Sequence, residues 1–171
     1  MNPTKRMLPA RDILRRVYGD KSSDVDVTGI DMMLHLINVV DIIRGTIFEE
    51  LRKETGLSEG KFALLMILRD LEKPLPIGTL SERAGVAPAT VSVMISRMLQ
   101  AQDPLITRTD SSTDGRASLI ALSATGQALL NRALPTHFKR VSEFARCLSN
   151  EEREQLIELL QRLTVSTHSA R

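Results

Sequence analysis

From Ile30 onward the chain carries apolar residues at Ile30, Met33, Leu34, Ile37, Val40, Ile43, Ile47 and Leu51, a recurrence of three or four that predicts one long helix. Leu36, Val39, Ile42 and Phe48 fall on its other sides, so more than one face must be covered and a partner subunit would supply the second surface. Gly56 closes this helix, and Ser58 is placed to cap the next, which carries Phe62, Leu65, Met66 and Leu68. Lys73-Pro74-Leu75-Pro76 breaks the pattern. Two short helices then follow, Thr79 to Ala84 and Pro88 to about Gln100, around a Gly85-Val86-Ala87 turn in which glycine supplies the left-handed conformation. Two β-prone runs, Leu105 to Thr109 and Ala117 to Leu122, flank a polar stretch from Asp110 to Gly115 and predict a hairpin. Ser123 caps a helix expected to reach about Cys147 and to bend or break at Pro135. Ser149 and Glu152 form a capping box for a last helix with Leu156, Ile157, Leu160 and Leu163 on one face. Residues 1–28 mix charges with Pro3, Pro9 and Gly19 and read as a loosely ordered arm with a short helix around Asp12 to Tyr18, without an assigned role.

The predicted fold class is therefore mostly α with a small β-hairpin. A short helix, a glycine turn and a second helix make a helix-turn-helix, whose second helix enters the DNA major groove. Val91, Met94, Ile95 and Met98 occupy i, i+3, i+4 and i+7 of that second helix and face the core, which leaves Ala89, Thr90, Ser92, Val93, Ser96 and Arg97 outward. Small and hydroxyl-bearing side chains let a helix approach base edges closely, with Ser and Thr bonding bases or phosphates and Ala or Val meeting a thymine methyl. The hairpin loop places Arg116, after Asp114 and Gly115, at the tip of a projecting turn, where a cation suits the negative potential of a narrow minor groove. A major-groove helix beside a minor-groove arginine is a winged helix. Arg97 has two readings, a phosphate contact or an ion pair with Asp114.

Composition sets the outer bounds. At 171 residues the chain has enough length for one core with an accessory lobe, and 42% apolar against 26% charged residues is a globular balance. The net charge of +2 permits nucleic-acid binding without announcing it, and a chain with no Trp and one Tyr lacks aromatic platforms for stacking single strands. The longest apolar run ends at Leu68 and falls far short of the roughly 20 residues that span a bilayer, so no membrane is expected and the chain reads as cytoplasmic. Cys147, the one cysteine, reads as a packed thiol beside Phe144 and Leu148. His35, His137 and His168 lie far apart without metal-ligand spacing, so neither a metal nor any other cofactor is expected. No glycine-rich phosphate loop or nucleophile–base set is present, which argues against an enzyme.

The run Asp114-Gly115-Arg116-Ala117-Ser118-Leu119-Ile120-Ala121-Leu122-Ser123 resembles the wing signature of the MarR (multiple antibiotic resistance regulator) family, an Asp-x-Arg followed by an apolar strand ending in Leu-Ser or Leu-Thr. Leu80 to Val86 resembles that family's first helix and turn, and Thr90-Val91-Ser92 with Ser96-Arg97-Met98 its recognition helix. The resemblance covers roughly Leu57 to Leu130 by motif. It implies an N-terminal arm (1–28), an N-terminal dimerisation helix (29–56), a winged helix-turn-helix DNA-binding domain (57–122) and C-terminal dimerisation helices (123–171). It further implies a homodimer on pseudo-palindromic double-stranded DNA, often a repressor released by a small aromatic or acidic effector. By position, the DNA-facing set is Ala87, Pro88, Ala89, Thr90, Ser92, Val93, Ser96, Arg97, Arg108, Asp114 and Arg116, and the effector cleft falls near His35, Asn38, Phe62 and Met66. Many relatives carry Ser then Arg where this chain has Ala87-Pro88, so fewer bidentate guanine contacts are available and an A·T-rich site is expected. The competing reading is a winged helix used for protein–protein contact alone.

Overall fold

The computed structural model describes residues 8–19, 26–110 and 118–168. The chain divides into two compact units, Met1–Ala133 and Leu134–Arg171. Among the described residues no helix is long and apolar enough to cross a membrane.

The first unit opens with α1 (Arg11–Leu14), which continues as a π-helical turn, Arg15–Gly19. The short helix expected around Asp12 to Tyr18 is thus present, and it is docked where a loosely ordered arm is the expectation. Leu14 is buried, and the Arg11 Nε donates to the Asp31 carboxylate at 2.6 Å. Asp31 lies on α2 (Val27–Ile43), whose first turn is capped by Asp26 accepting from the Thr28 N–H at 2.9 Å. The long helix predicted from Ile30 is present but not regular: a π-helical stretch, Arg44–Phe48, joins α2 to α3 (Glu49–Thr55), and Gly56 ends α3 at φ 71°. Its burial reverses the simple amphipathic expectation. Asp31 and Asn38 are 5% and 7% exposed, whereas Met32, Met33, Ile37, Val39 and Val40 are all at least 40% exposed. Two polar side chains seven residues apart mark the face turned toward the chain's own body, and the apolar face is left open.

Helix α4 (Glu59–Leu71) is capped by Ser58 and buries Phe62, Leu64, Leu65 and Leu68. Leu75–Pro76, read from sequence only as a break, forms a short strand, β1. It pairs antiparallel with β3 (Ser118–Leu122), which also pairs with β2 (Ile106–Asp110), giving the order β1-β3-β2. Pro76 is tolerated because β1 is an edge strand, where a missing N–H disrupts no inner ladder. Leu75, Ile106 and Ile120 are sealed in the core. Helices α5 (Ile77–Ala84) and α6 (Pro88–Leu99) pack on each other, with Leu80, Val91, Ile95 and Met98 buried.

Helix α7 (Ala124–Ala145) runs through Pro135, so the proline does not break the element. The proline removes one backbone donor, and the helical bonds on either side sustain the element. Cys147 falls in the turn after α7 and is exposed, so it is a surface thiol and not a packed one: the helix ends at Ala145, two residues before it. The expected capping box holds α8 (Asn150–His168), with the Ser149 N–H donating to Glu152 Oε2 at 2.7 Å and the Glu152 N–H to Ser149 Oγ at 3.2 Å.

The wing joins α7 through Ser123. Its N–H donates to the Leu105 carbonyl at 3.1 Å, its hydroxyl to the Pro104 carbonyl at 2.7 Å, and its Oγ accepts from the Gly126 N–H at 3.0 Å. This draws the first turn of α7 so close that a Cβ at Gly126 would stand 2.1 Å from the Leu105 oxygen and 2.8 Å from Leu122 Cδ1. Gly126→Ala should therefore destabilise the protein by about 1–3 kcal/mol, read as a lowered urea midpoint. An unchanged midpoint would show that the junction is looser than its geometry.

Candidate nucleic-acid interface

The turn between α5 and α6 is closed by two backbone hydrogen bonds. The Gly85 N–H donates to the Glu82 carbonyl at 3.2 Å and the Val86 N–H to the Ser81 carbonyl at 3.1 Å, with Gly85 at φ 62°. That 5→2 and 6→1 pair is a Schellman closure, which needs a left-handed residue at the turn. It ends α5 abruptly and directs Ala87-Pro88 into the start of α6. Ala87 offers no side-chain cap, and Pro88 stands at the helix start, where its absent N–H has no intrahelical partner to lose.

Helix α6 divides as its spacing predicts. Val91, Ile95 and Met98 are at most 3% exposed and Met94 is half-buried, while Ala87, Pro88, Ala89, Thr90, Ser92, Val93, Ser96 and Arg97 all lie on the surface. Val93 is half exposed, an apolar side chain with no core to enter. The outward face is short, and most of it is methyl and hydroxyl groups. Such a surface fits against base edges without long side chains to reorganise.

One neighbour went unnoticed in the sequence. Gln100 donates through Nε2 to Ser96 Oγ at 3.2 Å, an i, i+4 contact that orients the serine hydroxyl. The spacing was the available signal. On the hairpin, Ile106 is sealed but Thr107, Arg108 and Thr109 are exposed, so β2 leaves the core within a residue. Arg108 donates through Nη2 to Ser118 Oγ at 2.5 Å across the β2–β3 pair, a contact fixed by the register Asp110↔Ser118 and Arg108↔Ile120. Only strand register reveals that partner, since the two residues are ten apart. Asp114 and Arg116 lie outside the described residues, and with them the Arg97–Asp114 pair.

The four expected effector residues occupy two helices. Phe62 is buried and Met66 half-buried, one turn apart on α4. On α2, His35 is exposed, with its Nδ1 2.8 Å from the Asp31 carbonyl and 3.2 Å from Asp31 Oδ1. Asn38 is buried, and its Oδ1 has no hydrogen-bond partner among the described residues. Among the same residues, no three His, Cys, Asp or Glu side chains are grouped to hold a metal ion.

A Cβ at Gly85 would meet nothing within 4 Å, so only backbone conformation opposes a side chain there. Gly85→Ala should cost about 1–2 kcal/mol of stability in thermal or urea unfolding. A loss much larger than that would point to a contact that the turn does not contain.

Comparison with known proteins agrees with this geometry. A family model described as the MarR family matches residues 57–118. The HTH-type transcriptional repressor YetL of Bacillus subtilis is 28% identical over 144 residues, 84% of each chain. Among solved structures, the MarR family regulator Sco3205 from Streptomyces coelicolor, in complex with DNA, superposes with a TM-score of 0.74 at 20% identity, covering 85% of this chain and 91% of that one. The organohalide-sensing regulator RdhR, in its 2,4-dichlorophenol-bound form, does so at 0.74 and 24% identity, covering 88% of each chain. At such identities the two structural likenesses speak for the fold, a mostly helical chain with a winged helix-turn-helix. The likeness to the MarR family is carried by residues 57–118, the stretch that the family's model matches.

Proposed function

We propose that the protein is a homodimeric repressor that reads a pseudo-palindromic, A·T-rich promoter site and is released by a small aromatic or acidic effector. The observation that carries this reading is the division of α6, whose buried stripe of Val91, Ile95 and Met98 leaves a small, hydroxyl-bearing face projecting from the lobe. In this reading Thr90, Ser92 and Val93 meet base edges in the major groove, with Ala87 to Ala89 backing them at the helix entry. Ser96, Arg97 and Arg108 approach the backbone, and Arg116, flanked by Asp114, enters the minor groove. The relatives support it: YetL is a repressor, Sco3205 was solved on DNA, and RdhR was solved with a chlorophenol. Those relatives are regulators and not enzymes, and the reading places the chain in the cytoplasm, where its DNA would be.

Dimerisation is assigned to residues 29–56 and 123–171, with 57–122 as the DNA-binding domain and 1–28 as an arm. Support comes from apolar side chains that the single chain leaves open: Met33, Ile37 and Val40 on α2, and Leu156, Ile157, Leu160 and Leu163 on α8. Exposed stripes of this extent mark association surfaces. The effector cleft is assigned near His35, Asn38, Phe62 and Met66, where the buried Asn38 oxygen, unpartnered among the described residues, offers an acceptor. A ligand there would release DNA by preferring the form whose lobes do not match the half-site spacing.

Selection from random duplexes should return A·T-rich half-sites about one helical turn apart. On that site Arg116→Ala and Arg97→Ala should each weaken binding and reduce the slope of log K against log salt by about 0.9. A guanine-dominated consensus would overturn the base-reading assignment, and a slope near zero would favour a protein-contact module. Leu160→Asp should convert dimer to monomer in light scattering, with a fold retained by circular dichroism. A dimer of unchanged affinity would remove α8 from the interface.

A further inference from the structure

The structure contains a cavity that neither the DNA-facing surface nor the assigned effector cleft uses. It has a volume of about 400 Å³ and is bordered by Leu68, Arg69, Glu72, Lys73 and Pro74, by Ala121 and Leu122 at the end of β3, and by Gln127 in the first turn of α7. That volume lies within the range of small-molecule pockets, about 300–1,000 Å³. None of the residues bordering the cavity belongs to the proposed groove contacts. Ala121 and Leu122 pair with Thr107 and Ile106, at the end of the hairpin opposite residues 111–117. Cations on this border are therefore not accounted for by phosphates at the wing tip.

Its chemistry is that of a site for an amphipathic anion. Leu68, Pro74, Ala121 and Leu122 supply an apolar wall. Arg69 is half-buried, and its guanidinium has neither ion pair nor hydrogen bond among the described residues; Lys73 likewise has no carboxylate partner among them. A guanidinium without an acceptor is free to take one, and a carboxylate is the acceptor its planar fork fits best. Glu72 sits between the two cations in sequence. It is the one non-glycine residue at positive φ (49°) among those described, and it turns the chain at the end of α4 so that Arg69, one turn earlier, and Lys73, one residue later, border the same space. Glu72 also limits the charge: two cations against one carboxylate leave a single net positive charge on the border, which suits a monoanion and disfavours a dianion such as phosphate.

We propose that this cavity binds a small organic monocarboxylate, its carboxylate on Arg69 and Lys73 and its apolar body against Leu68, Pro74 and Leu122. The bound acid would join the end of α4, the end of β3 and the first turn of α7. This binding does not depend on the DNA reading and would stand if no operator were found.

The test is a titration of the full-length protein with sodium benzoate, followed by amide NMR shifts. Saturable shifts at Leu68 to Lys73 and Ala121 to Gln127, with a dissociation constant below about 10 mM, are expected, along with none from benzylamine. Arg69→Ala should weaken that binding about tenfold or more while Arg69→Lys retains part of it, both variants keeping the wild-type spectrum elsewhere. The proposal is overturned if folded protein shows no saturable shift at these amides. It is also overturned if the shifts centre instead on His35 and Asn38, or if Arg69→Ala binds as the wild type does.

Discussion

The burial of one stripe of α6 is the constraint on which the rest of the molecule depends. Val91, Ile95 and Met98 leave water almost completely. At roughly 1.5–3 kcal/mol for each buried aliphatic side chain, this fixes the rotation of the helix about its axis. Once that rotation is fixed, Thr90, Ser92 and Val93 face outward, with no side-chain hydrogen bond of their own among the described residues. Burial of the opposite stripe thus holds the outward face rigid, with Gln100 orienting the Ser96 hydroxyl on it. The elements that receive the stripe, α5 and β2, also end the turn at Gly85 and begin the wing, so helix and hairpin share one core. Ser123 then ties the foot of that hairpin to α7 through three hydrogen bonds.

Much of this was legible in the chain. The i, i+3, i+4, i+7 spacing of α6, the Gly85 turn, the Ser123 cap and the Ser149–Glu152 box are local patterns whose physical meaning does not depend on distant residues, and each is found where the spacing puts it. Features that depend on tertiary partners were not legible. Leu75-Pro76 looks like a chain breaker until β3 lies beside it, because a two-residue strand has no periodicity to read. The Arg108–Ser118 bond needs strand register. The docking of α1 needs the pairing of Arg11 with Asp31, twenty residues away.

The long N-terminal helix shows where periodicity alone misleads. Much of its apolar stripe is exposed in the single chain, and the buried positions are Asp31, Asn38, Ile47 and Leu51. Asp31 is held there by specific contacts with Arg11 and the His35 ring. Hydrophobicity says that a surface must be covered; it does not say which molecule covers it. Cys147 is a related case, since neighbouring apolar residues suggested packing while the end of α7 two residues earlier exposes the thiol.

The most direct test of the central claim places a DNA-cleaving reagent on the outward face of α6. Val93→Cys, in a Cys147→Ser background so that the exposed native thiol takes no label, would carry a tethered iron chelate onto a duplex selected by the protein. The account predicts two symmetric clusters of strand cleavage on the major-groove face, centred about 34–36 Å apart, and none from the same tether at Met32 on α2. Cleavage that is unlocalised from Val93, or equally strong from Met32, would contradict it.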